Sequence, residues 1–131
     1  MAEEILASAA RLSGELAERA SEVETNRFLP QNIAQKFVEA GFYRLCLPKE
    51  CGGFEANPRL LVEVVEKLAQ GDASPAWCVM IGATTGLLAG FMPPDDAKAV
   101  FGAPDTISAG VFAPRGKAHP LPPLHRSRQQ P

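Results

Sequence analysis

The chain holds few side chains suited to covalent chemistry, and their positions narrow the choice further. His119 and His125 are the only histidines, and both fall close to the C-terminal end. No Ser/His/acid set is therefore available to the body of the chain. Cys46, Cys51 and Cys78 are odd in number and contain no C-x-x-C pair, so neither a zinc spacing nor a disulfide framework is present. Free thiols in a reducing cytoplasm account for them most simply. Glu63 and Glu66 lie one helical turn apart, a spacing that a solvated face explains better than paired acid–base work. The run Pro114-Arg-Gly-Lys117 lacks the glycine spacing of a phosphate cradle. The sequence thus assigns no catalytic residue and no metal ligand.

Four residues remain as candidates for contact with a bound molecule. Arg44 sits between apolar neighbours and could face an anionic group such as a carboxylate or a phosphate; the alternative is a solvated arginine. Trp77, the only tryptophan, could stack on an aromatic substrate or another flat ring; the alternative is a core aromatic. Gly82 and Gly86, with Gly90, recur at four-residue steps and bare one helix face. Each costs about 1 kcal/mol against alanine inside a helix, so something must approach that face closely. A neighbouring helix backbone or a flat ligand would both serve. Asp72 and Ser74 read as helix caps before they read as ligand contacts.

The elements that position these residues can be read from period and punctuation. Residues 3 to about 25 form a first helix, with Ile5, Leu12, Leu16 and Val23 on one stripe. A second begins near Pro30, buries Ile33, Ala34, Phe37 and Val38, and stops at Gly41 in a left-handed conformation. Residues 42–47 alternate and predict a short extended segment, closed by the turn Pro48–Gly53. Asn57 caps a third helix with Leu60, Leu61, Val64, Val65 and Leu68 on its buried stripe, ending at Gly71. A fourth opens at Asp72–Pro75 and runs towards Pro93. A short fifth runs from Pro94 to Phe101, with Asp95 and Asp96 in its positive first turn. Thr106–Phe112 predicts a β-strand.

Residues 73–94 carry no charge before Asp95, long enough for a membrane span of roughly 20 residues. The glycine series also matches a membrane-dimer pattern. Against this, Pro75, Pro93 and Pro94 shorten the helix and its flanks are acidic, without a basic cluster. A helix apolar on all sides belongs at the centre of a bundle, and that is the expectation. The net charge of −2 gives no reason to expect nucleic acid, and the basic residues after Asp105 leave the rest more acidic still. The amphipathic, early-acidic N-terminus does not read as a signal peptide, and the expected location is cytoplasmic.

The run from Leu29 to Pro58, LPQNIAQKFVEAGFYRLCLPKECGGFEANP, followed by EVVEKLAQGDASPAWCVMIGA, resembles the start of acyl-CoA dehydrogenases. The resemblance lies in a Gly41-Phe42 step, an L-P-x-x-x-G-G loop from Leu47 to Gly53, and a Gly71-Asp-Ala-Ser74 step. Trp77 and the run TISAGVFAPRGKA are similar to the two-component flavin monooxygenases that share this fold. The fourth helix lacks the histidine that dehydrogenases often carry there. The resemblance implies a mainly α fold, an up-and-down bundle of about five helices, followed by one β-strand and a disordered tail. It divides the chain into a helical domain over 1–104, the start of a β-barrel domain over 105–117, and an out-of-frame or disordered tail over 118–131. A frameshift or a foreign tail would account for the change of composition there. It also implies a parent that binds FAD or FMN, acts on a small acyl-CoA or aromatic substrate and assembles as a homo-oligomer. Such a fragment would bind no flavin tightly and would be inactive alone. A standalone helical interaction module and a small single-span membrane protein stay open beside this reading.

Overall fold

The computed structural model describes residues 1–110, together with 113, 115–117, 119 and 120. Five α-helices are formed among them: α1 (Ala2–Asn26), α2 (Gln31–Glu39), α3 (Pro58–Ala69), α4 (Ala73–Thr85) and α5 (Pro94–Phe101). Three short 3₁₀ segments join them, at Phe42–Arg44, Lys49–Cys51 and Gly86–Phe91. The mainly helical expectation therefore holds.

The helices begin and end where the local chemistry requires. The Asn57 side chain accepts the Leu60 N–H at 3.0 Å, and Pro58 fills the first turn of α3. Asp72 accepts the Ser74 N–H at 2.8 Å and so caps α4. Pro30 stands one residue before α2, as its cap rather than inside its first turn. Gly41 follows α2 at φ 73°, and an added Cβ there would run into the Phe54 ring. α1 buries Ile5, Ala9, Leu12, Leu16 and Val23 along one stripe, as its period predicts. Lys36 on α2 reaches both carboxylate oxygens of Glu15 on α1 at 2.6 Å.

α3 lies between α1 and α4, and these three pack most extensively on one another. One core forms there around Leu16, Ile33, Phe37, Phe42, Leu45, Val64, Leu68 and Val79. Burying each such side chain contributes roughly 1.5–3 kcal/mol relative to leaving it in water. A second, smaller core joins Leu47 and Cys51 to Ala89, Ala97 and Phe101. α5 rests on this second core, packed against the two 3₁₀ segments at Lys49–Cys51 and Gly86–Phe91.

Four expectations are corrected. Residues 42–47 are not extended. They coil into 3₁₀ and bend geometry, in which Phe42 is buried along with Tyr43, Leu45 and Leu47 while Arg44 and Cys46 stay half-buried. The fourth helix does not run to Pro93. It gives way to 3₁₀ geometry at Gly86, after Thr84 and Thr85 return their hydroxyls to the carbonyls of Met80 and Ile81 at 2.7 Å. Such back-bonding competes with the helical ladder, and the glycines beyond it support helix propagation poorly. Nor is the uncharged stretch the buried centre: Trp77 on α4 is 62% exposed, and in the 3₁₀ segment beyond it Phe91 is 89% exposed, with Leu87 and Leu88 also open. No described element covers that side. Finally, Thr106–Gly110 forms no strand, since a ladder needs a partner and none is formed among the described residues. Val111 and Phe112 lie outside the described residues, as do Ala118 and residues 121–131 of the expected tail.

Candidate functional site

α4 and the start of α2 enclose an apolar groove of about 340 Å³. Leu29 and Ala34, Tyr43, and Trp77, Cys78 and Ile81 of α4 line it. Residues 107–109 return along α4 and close the far wall, where the Ser108 hydroxyl donates to the Gly82 carbonyl at 3.2 Å. Tyr43 is held from behind by Phe37, with ring centroids 6.3 Å apart and tilted by 59°. Its ring passes directly over Gly82, so closely that an added Cβ would lie 2.9 Å from Cε1 and nearer still to Cδ1. The bare face of Gly82 is thus explained by the Tyr43 ring, neither by a helix backbone nor by a ligand.

The groove is electrically quiet. Burial first, and then the neighbouring Cys78 thiol, push the Tyr43 phenol up to about 12. Burial, with Asp72 adding to it, raises the Cys78 thiol above its ordinary range, partly offset by a hydrogen bond to its own backbone. Cys78 is exposed as a residue, yet it lines the groove. Both groups are therefore neutral at physiological pH. Such a surface can hold a flat apolar molecule by contact, but it offers no base or nucleophile in its charged form. A larger concavity of about 770 Å³ opens between the start of α1 and residues 53–63. It is lined by Lys49, Glu55, Arg59 and Glu63 and contains none of the four candidates, so the smaller aromatic groove is the better site.

The four candidates separate in space. Trp77 stands at the groove as an exposed indole, so the core-aromatic alternative fails. Gly82 lies beneath Tyr43. Gly86 faces Leu47, on the side of the second core, where an added Cβ would lie 3.5 Å from it, and Gly90 faces open space. Arg44 is not solvated. Its guanidinium donates to the carbonyls of Gly52 (3.0 Å), Ala103 (2.8 Å), Phe101 (3.4 Å) and Cys51. Tyr43, Cys78 and residues 107–109 escaped the sequence reading. Tyr43 was concealed by the expectation of an alternating strand, and the return of 107–109 onto α4 has no local signal. No cluster of three metal-ligating side chains occurs among the described residues.

Residues 2–92 match the family described as acyl-CoA dehydrogenase, N-terminal domain. The chain belongs to this family. It is similar to indole-3-acetate monooxygenases from Acinetobacter baumannii, 33% identical over 79% of this chain and 28% of the relative, and from Pseudomonas putida, 30% identical over 74% and 25%. It is also similar to the oxygenase subunit of a flavin-dependent monooxygenase from Rhodococcus jostii, 39% identical over 47% of this chain and 16% of the relative. The chain thus spans about a quarter of the length of the first two relatives. Over residues 2–92 it corresponds to the N-terminal domain of that family, the part it shares with these monooxygenases.

Proposed function

We propose that this domain serves a flavin-dependent monooxygenase acting on a small aromatic substrate, and that the α4 groove is its contribution to the substrate wall. The observation that carries the reading is the neutral, aromatic groove of Tyr43, Trp77, Ile81 and Ile107, which suits a flat apolar ring. The names of the relatives, two of them indole-3-acetate monooxygenases, point to the same class of substrate. Trp77 borders the ligand in this reading, Gly82 seats the Tyr43 ring beneath it, and Arg44 and Gly86 act on the scaffold. Reaction of an acyl-CoA is the less favoured chemistry, since the groove presents no free cation to a nucleotide phosphate.

The described residues do not fit a whole flavin. The Arg44 guanidinium is taken up by backbone carbonyls, and the groove walls are uncharged. The FAD or FMN of the family is therefore held elsewhere in the full-length parent, and the isolated chain is inactive. Titration of the purified chain with FAD or FMN, followed by flavin fluorescence, should show no sub-micromolar binding. A dissociation constant below 1 µM, better than about −8 kcal/mol, would refute this. For the groove itself, millimolar phenylacetate should shift the Trp77 indole N–H and the Ile81 and Ile107 methyl signals in NMR spectra. Shifts confined to other regions, or none at all, would overturn the substrate-wall role.

Two further roles are proposed less centrally. The exposed Leu87, Leu88 and Phe91 favour a face that meets another chain or domain, in keeping with a homo-oligomeric parent. Light scattering of the chain tests for self-association. The segment Ala73–Phe91 is long and apolar enough to cross a membrane, with 39% of it buried. The close packing of Tyr43 on Gly82 and of Leu47 on Gly86 supports a water-soluble, cytoplasmic protein instead. Retention in the soluble fraction without detergent is the expected result.

A further inference from the structure

We propose that Arg44 is a positioning residue for the groove: by pinning the end of α5 to the Lys49–Cys51 turn, it fixes the groove wall formed by residues 107–109. The Arg44 side chain does not line the groove, although its chain neighbour Tyr43 does. Its guanidinium instead bridges two parts of the chain. Nε and Nη2 donate to the carbonyls of Gly52 and Cys51, and Nη1 donates to Phe101 and Ala103 at 3.4 and 2.8 Å. These are charge-assisted bonds to carbonyls at the end of a helix, where carbonyls lack intrahelical partners and a cation is favoured.

The Ala103 carbonyl has a second donor. The Thr106 N–H reaches it at 3.2 Å and closes the turn that sends the chain back towards α4. One oxygen therefore joins the Arg44 clamp to the turn, and residues 107–109 follow directly. Ser108 then lands on the Gly82 carbonyl, and Gly110 lies alongside Thr85, whose hydroxyl an added Cβ would meet at 3.3 Å. The unit that Arg44 holds is otherwise lightly attached. α5 packs on the small core of Leu47, Cys51, Ala89, Ala97 and Phe101, separate from the main core of α1–α4. Arg44 provides the side-chain hydrogen bonds that tie this unit across the smaller core. Loosening it releases α5, the turn and the wall together, while α1 and α3 stay folded on their own core.

Amide exchange by NMR on the full chain tests this. R44M should accelerate exchange of the α5 amides and of the Thr106 amide by roughly 10- to 100-fold, the size expected for loss of hydrogen bonds to a charged group. The amides of α1 and α3 should keep their rates. The single tryptophan indole signal, from Trp77, and the signals of Ile107 and Ser108 should shift in the same variant. S108A should move the wall signals while leaving α5 exchange unchanged, because it cuts the chain's hold on α4 downstream of the clamp. Should R44M not fold, R44K, which can keep only part of the bridge, should show the same pattern at smaller amplitude. Uniform acceleration across all helices would overturn the proposal. So would acceleration confined to α5 with Thr106 and the Trp77, Ile107 and Ser108 signals unmoved.

Discussion

Gly82, Gly86 and Gly90 share one spacing but meet three different surroundings, and alanine at each should give three different results. An alanine inside a helix is favoured over glycine by up to about 1 kcal/mol, because the glycine chain has more freedom to lose on folding. At Gly90 nothing lies within 4 Å of an added Cβ, so only this gain operates. G90A should stabilise by about 0.4–1 kcal/mol. At Gly86 the Cβ would sit 3.5 Å from Leu47, an ordinary contact, and G86A should fall near zero or slightly on the stabilising side. At Gly82 the Cβ would meet the Tyr43 ring, 2.9 Å from Cε1 and closer to Cδ1, and would come to 3.3 Å from the Ser108 carbonyl. Tyr43 has no room to withdraw, being 6% exposed and backed by Phe37. Overpacking of this kind costs about 1–3 kcal/mol, which outweighs the gain in propensity. G82A should therefore be destabilising by roughly 1 kcal/mol, within a range of about 0–2. Urea denaturation followed by far-UV circular dichroism reads the order directly, provided the slope m is unchanged. The test sharpens in a Tyr43→Ala background. There the obstructing ring is gone, and G82A should become stabilising, a coupling of at least about 1 kcal/mol between the two sites. If G82A proves as stable as G90A in the wild-type background, Tyr43 does not lie over Gly82 and the groove is built differently.

Leu68 is fully buried in the main core, so L68A should cost about 2–5 kcal/mol. Glu63 forms an exposed i,i+4 pair with Arg59 at 2.7 Å, and E63A should cost under about 0.5 kcal/mol; comparable denaturant midpoints for the two would show the helix face to be misassigned. Because Tyr43 ionises at about 12 in the fold and near 10 when unfolded, the unfolded state gives up its proton first. Stability should be constant below pH 10 from this group and fall between pH 10 and 12, by up to about 3 kcal/mol. Tyr43→Phe should remove that fall in alkaline melts, and an unaltered pH profile would count against burial of the phenol. Glu15 behaves in the opposite sense, since its hydrogen bond to Lys36 holds its carboxyl below the ordinary value. The stability it contributes is present above the unfolded value near 4.5 and is lost as pH falls through the lower folded value, a loss that K36M should diminish in acid titrations.

The sequence by itself determined the helices, because the forces that start, stop and face a helix act over a few residues. The Asn57 and Asp72 caps, the left-handed Gly41 and the stripe of Leu60, Leu61, Val64 and Leu68 all appear as their types and spacing require. The order of those signals also carried the family resemblance, which the match over residues 2–92 bears out. Tertiary structure alone decided where each apolar face went. The alternation in residues 42–47 could not reveal that Phe42 and Tyr43 would both be buried, since that depends on α4 and the main core closing around the segment. An uncharged helix reads the same whether it is covered on all sides or, as α4 is, on one; coverage belongs to its neighbours, not to its composition. Arg44 was legible as a cation among apolar residues, but its carbonyl partners at Phe101 and Ala103 are more than fifty positions away. The groove arose in the same way. Tyr43, Trp77 and residues 107–109 come from three separate stretches of chain, and only the packing that buries Tyr43 against Gly82 brings them to one surface.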